Sequence, residues 1–172
     1  MIFLLEKSIK WWYFLSVLGR RPNLQAEILG SDAYSDIYGT VSFYNTWHGV
    51  LVATEVFGLP QTAGNGRDVF AFHIHEGNSC SRGPNAQPFA HVGSHYNPQS
   101  LAHPYHSGDL PPLFSNNGYA FQIFLTDRFN INEINGRTVI IHSNPDDFTT
   151  QPSGNPGSMI ACGEIRPVYG QK

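Results

Sequence analysis

From Leu24 onward the chain is written as short apolar segments cut at regular intervals by Gly, Pro, Asn and Asp. Seven segments stand out. They are "LQAEILGS" (24–31), "GTVSFYN" (39–45), "GVLVATEVFGLP" (49–60), "RDVFAFHIHE" (67–76), "GYAFQIFLTD" (118–127), "GRTVIIHS" (136–143) and "MIACGEIRPV" (159–168). Apolar and polar residues alternate within them, and β-branched and aromatic side chains are common, as in strands with one buried face. The second and third flank "TWHG", so they read as a hairpin. Seven or so short strands with few helical stretches predict an all-β domain, either a β-sandwich or a Greek-key barrel. The 17 Gly, 12 Pro and 13% charged residues in 172 suit one loop-rich globular domain.

Charge is unevenly spread. Residues 1–22 hold Lys7, Lys10, Arg20 and Arg21 against Glu6, while the remainder holds 6 basic and 12 acidic side chains. A body with that balance lacks the basic face that nucleic-acid binding needs. The opening "MIFLLEKSIKWWYFLSVLGRRPN" has an apolar run at 11–19, too short to span a bilayer. Charges precede the run, as in a signal peptide, but Arg20 and Arg21 follow it and no small-residue cleavage site appears. Trp11, Phe14, Leu15 and Leu18 fit one face of a short helix. Residues 1–22 therefore read as an extension, either a docked or interfacial helix or a loose segment, ahead of a domain at 23–172.

Two irregular stretches interrupt the strand pattern. One runs about 40 residues from Gly77 to Asn117 and carries His91, His95, His103, His106 and Asp109. A connection this long in a compact domain is usually functional or disordered, and a metal held by those side chains would order it. The other, "SNPDDFTTQPSGNPGS" (143–158), precedes the last strand.

His73 and His75 are two apart, so a strand puts both on one face, with Phe72 and Ile74 on the other. The pair alone is equally at home on a solvated sheet face. His95, His103, His106 and Asp109 add three imidazoles and a carboxylate, an acceptable four-coordinate zinc set. His142 ends another expected strand. Imidazole suits copper and zinc alike, so residue type does not choose the metal. Cys80 and Cys162 can form one long-range disulfide or stay as two buried thiols. His48 and His91 are left without a role.

"FHIHE", "GSHYNP", "HSGDL", "GRTVIIHSNPDD" and "GNPGSMIACGEI" together resemble the successive motifs of the copper/zinc superoxide dismutase family, in the family's order. The resemblance implies an eight-stranded Greek-key β-barrel with a long metal-binding loop. It implies one copper per subunit on His73, His75, His95 and His142, and one zinc on His95, His103, His106 and Asp109. His95 would be the bridging imidazolate and proton carrier. Asp146 would link a copper histidine to a zinc histidine, and Cys80 with Cys162 would form the intrachain disulfide. The implied activity converts superoxide to dioxygen and hydrogen peroxide by Cu(II)/Cu(I) cycling.

One position departs from the family pattern. Met159, three residues before Cys162, stands where the family has the arginine that attracts superoxide, and residues 143–158 contain no Lys or Arg. The expected function is thus a dismutase with weakened anion guidance. The alternative is a copper-binding protein that buffers or delivers the metal on the same scaffold. The reading is compatible with a homodimer. It favours a cytoplasmic protein, with a secreted or cell-envelope one following if residues 1–22 act as a signal.

Overall fold

The computed structural model describes residues 12–61, 68–83 and 87–169. Strands β1 (Leu24–Gly30), β2 (Tyr38–Thr46) and β3 (Gly49–Phe57) form an antiparallel meander. Next come β4 (Val69–Phe70), β5 (Phe72–His75), β6 (Leu113–Phe114) and β7 (Ala120–Thr126). The last three are β8 (Thr138–His142), β9 (Met159–Glu164) and β10 (Arg166–Pro167). The main sheet runs β5-β8-β9-β1-β2-β3-β7, β10 pairs with β1, and β4 pairs with β6 in a separate two-stranded ladder. That ladder lies between the two edges of the main sheet, because β4 runs on into β5 while β6 abuts β7. The chain passes from β3 to β4, and from β7 to β8, over intervening strands. These are the Greek-key crossings of an eight-stranded β-barrel.

Alternation fills the barrel. Ile28, Phe43, Val52, Phe72, Ile74 and Ile141 all point inward and are fully buried. Each such side chain stabilises the fold by about 1.5–3 kcal/mol relative to exposure. The β2–β3 hairpin turns through Trp47 and His48, with Thr46 paired to Gly49 as the motif predicts. Gly49 has φ +122°, and any Cβ there would run into the Thr126 carbonyl, so only glycine fits.

Three expectations need correction. The segment 67–76 is not one strand. The ladder breaks at Ala71, whose N–H goes to Asn144 O and whose carbonyl accepts from His142 N, so the chain changes partners there. Arg67 lies outside the described residues. Likewise 159–168 divides at Ile165 into β9 and β10, and β6 interrupts the long stretch 77–117.

The N-terminal helix presents a different face from the one expected. Residues 12–18 form α1, which buries Val17 and packs Tyr13, Phe14 and Leu18 on Tyr44 and Leu51. Leu15 points away and is 58% exposed. Residues 1–11, including Trp11, lie outside the described residues. A single capped turn, α2 (Ile131–Ile134), seals the barrel end with buried Ile134.

Candidate metal centre

The candidate metal-ligating side chains come from β5, β8 and the long loop, and the backbone explains why they meet. β5 has a free edge away from β8, and the loop lies along it. Ile74 N bonds Gly108 O, Tyr96 N bonds Ile74 O, Glu76 N bonds Ser94 O and Leu110 N bonds Phe72 O. This places His95 opposite His75 and Asp109 opposite His73. A disulfide between Cys80 and Cys162, Cα atoms 5.8 Å apart, ties the loop's start to β9.

Two clusters result. The ring nitrogens of His73, His75, His95 and His142 lie within 4.8 Å of one another, and so do the ligand atoms of His95, His103, His106 and Asp109. His95 belongs to both. All seven side chains are buried, His73 completely, which excludes the solvated-face reading of the H-x-H pair.

Within the second cluster His95 Nδ1 is 2.8 Å from Asp109 Oδ1, and His106 Nδ1 is 3.3 Å from the same oxygen. His103 Nδ1 lies 3.1 Å from Asp109 Oδ2. Asp146 spans the clusters. Its Oδ2 is 2.8 Å from His73 Nε2 and its Oδ1 is 2.8 Å from His103 Nε2. The Phe148 N–H also donates to Oδ1. Each imidazole is thereby turned so that its other nitrogen faces its own cluster. His75 is oriented in the same way, by Nδ1 at 2.9 Å from Gly93 O.

Six ring nitrogens are left without a hydrogen-bond partner: His73 Nδ1, His75 Nε2, His95 Nε2, His103 Nδ1 and both nitrogens of His142. A buried polar atom without a hydrogen bond costs about 1–3 kcal/mol, and six across two adjoining clusters is a large deficit unless something accepts their lone pairs. A metal ion does so, and the donor set fits one. Burial pushes His75 down to about 3 and His142 to about 2, and the nearby imidazoles add to both shifts. His73 and His106 are lowered mainly by burial, against the pull of Asp146 and Asp109 respectively. These four rings are therefore neutral near pH 7, the form that binds metal. Burial opposes charge on Asp109 and Asp146 as well, but their histidine hydrogen bonds win. Asp109 is lowered, and Asp146 falls to about 2.

Met159 pairs across the ladder with His142, past a bulge. It is half-buried and packs against a small apolar cluster of Phe89, Val92, Ile140 and Cys162. His48 and His91 are exposed, away from both clusters. Sequence reasoning missed three supports. Arg128 Nη1 donates to the carbonyls of Pro104, His106 and Asp109, and so braces the loop from behind. Gln151 clamps the His103 backbone, accepting from its N–H and donating to its carbonyl. Gly154 packs flat against Asp146 and His103. None carries a local sequence signal beyond the irregular composition around it.

A barrel with two histidine clusters sharing one imidazole defines a paired-metal β-barrel protein. Residues 37–165 match the family model described as "Copper/zinc superoxide dismutase (SODC)", so the chain belongs to that family. It is 31% identical over 166 residues to the superoxide dismutase [Cu-Zn] of Deinococcus radiodurans, covering 86% of each chain. The Cu/Zn superoxide dismutase from Brucella abortus superposes with a TM-score of 0.66 at 24% identity, over 81% of this chain and 97% of that one. A double mutant of a SOD-like protein from Bacillus subtilis superposes with a TM-score of 0.67 at 27% identity, over 83% of this chain and 96% of the other.

Proposed function

We propose that the chain is a superoxide dismutase holding copper on His73, His75, His95 and His142, and zinc on His95, His103, His106 and Asp109. The observation that carries this reading is the convergence of unpartnered ring nitrogens on two clusters joined by His95. When bound, copper supplies a one-electron Cu(II)/Cu(I) couple and zinc a fixed Lewis acid. The net reaction takes two superoxides and two protons to dioxygen and hydrogen peroxide. His95 is placed to carry one of those protons at Nε2, because its Nδ1 is held by Asp109. Asp146 keeps His73 and His103 in register. Met159 offers no charge to the incoming anion, so association relies on diffusion with little electrostatic steering.

The deciding experiment is superoxide decay by pulse radiolysis on protein loaded with copper and zinc. The expected result is a second-order rate well above that of the copper-free protein. Equal rates would sink the dismutase reading.

Met159 favours one second reading, a copper protein that buffers or delivers the metal, and the likeness to a SOD-like protein adds to it. The packing of Met159 against Phe89 and Val92 weighs against its thioether serving as a copper ligand. Faster transfer of Cu(I) to a partner apoprotein than to a chelator would support this second reading. The disulfide suits an oxidising compartment, so an envelope or secreted setting fits at least as well as the cytoplasm.

A further inference from the structure

The chain contains three tryptophans, Trp11, Trp12 and Trp47, and the two described ones gather in one region. Trp11 lies outside the described residues, but the other two are well placed. The inner face of α1 rests on Tyr44 and Leu51. Its outer face carries Trp12, 72% exposed, and Leu15, 58% exposed. The hairpin tip stands beside the helix, because the Trp47 N–H donates to the Tyr13 hydroxyl, and Trp47 is 90% exposed. Exposed Arg20 and Arg21 follow directly, and the sequence puts Lys7 and Lys10 just ahead. The rest of the chain is net acidic.

We propose that the outer face of α1 and the tip of the β2–β3 hairpin form a docking surface for an anionic lipid bilayer. Tryptophan prefers the boundary between headgroups and acyl chains. A short apolar helix face flanked by cations lies in that boundary rather than crossing it. No helix among the described residues is long and apolar enough to cross a membrane. A second copy of the chain is the weaker occupant. A two-fold contact through this face would bring two copies of the Arg20–Arg21 cation pair into one interface. None of the clustered histidines or Asp109 lies on α1 or on the β2–β3 hairpin.

The test is sedimentation of the metal-loaded full chain with vesicles of pure phosphatidylcholine and of phosphatidylcholine mixed with phosphatidylglycerol. Tryptophan emission is recorded alongside. Binding to the mixed vesicles at low salt is expected to be at least 10-fold tighter than to the neutral ones. It should come with a blue shift and weaken about 10-fold in 0.5 M salt. Two variants, Trp12→Ser with Leu15→Ser and Arg20→Glu with Arg21→Glu, should each lose about 10-fold in binding while keeping metal content and the decay rate. The proposal is overturned if wild type does not bind the mixed vesicles. It is equally overturned if both variants bind as wild type does, or if ultracentrifugation shows a dimer that the Trp12/Leu15 variant abolishes while vesicles stay unbound.

Discussion

His73 Nε2 lies 2.8 Å from Asp146 Oδ2, and the other oxygen of that carboxylate lies 2.8 Å from His103 Nε2. One side chain thus sets the tautomer of a histidine in each cluster and leaves both Nδ1 atoms facing inward. Outer partners of this kind typically change metal affinity 10–100-fold when removed. Asp146→Asn keeps the shape but accepts through only one oxygen. It should weaken both copper and zinc binding by about 10-fold or more, read by competition with chromophoric chelators. Unchanged affinity for both metals would remove the bridging role.

Gly154 has φ +77°, and a Cβ there would overlap Asp146 Oδ1 and His103 Nε2. Gly154→Ala should therefore displace the carboxylate as well as strain the backbone. Gly136 is the control, since it also has a positive φ of +83° but its Cβ would meet only Arg166 Nη1 at 3.7 Å. Both variants should lose about 1–3 kcal/mol of stability from strain. Only Gly154→Ala should also lose zinc affinity. If zinc titration by calorimetry shows the two variants alike, the contact with Asp146 is not what makes this glycine necessary.

The strand pattern and the spacing of the histidines were legible because both are local. Alternation put Phe72 and Ile74 on one face and His73 and His75 on the other, and the structure has the first pair in the barrel core and the second in the histidine cluster. What the sequence could not show depends on partners distant in the chain. The break at Ala71 follows from a hydrogen bond to Asn144, and β6 from pairing with β4. On α1, helical periodicity fitted two overlapping faces. Which one is buried was decided by Tyr44 and Leu51 on the barrel, so Val17 went in and Leu15 out. Arg128 and Gln151 act through loop carbonyls and amides, which have no residue-type signature.

The metal-free protein should be acid-sensitive in a defined window. His75 and His142 have folded-state values of about 3 and about 2, below the ordinary histidine value of 6.5. Above about pH 6.5 both states are neutral there and stability is full. As pH falls from 6.5 towards 3, the unfolded chain takes up protons that the folded one refuses, so stability falls. The slope approaches about 1.4 kcal/mol per pH unit for each histidine. Asp146, at about 2, adds a loss in the same direction only below about pH 4. Urea midpoints of metal-stripped protein between pH 7.5 and 4.5 should drop steadily, and a flat profile would mean the clusters are open to water. Bound metals compete with the protons, so the loaded protein should begin to weaken at lower pH.

Met159 stands across the ladder from His142, and residues 143–158 carry no cation. An arginine at this position would add a cation next to His142, because Met159 is half-buried and pairs with His142 across the ladder. Met159→Arg should speed superoxide decay by about 10-fold or more at low ionic strength, within the range that steering gives. The gain should shrink as salt rises towards 0.5 M, where screening acts over only a few ångströms. Removing Met159 from its packing costs some stability, so thermal denaturation of the loaded variant is measured alongside. Met159→Leu is the control that keeps the packing without adding charge, and it should leave both the rate and its salt dependence unchanged. A faster Leu variant would trace the effect to packing. An Arg variant with wild-type rate and flat salt dependence would show that charge at this position does not govern the approach to copper.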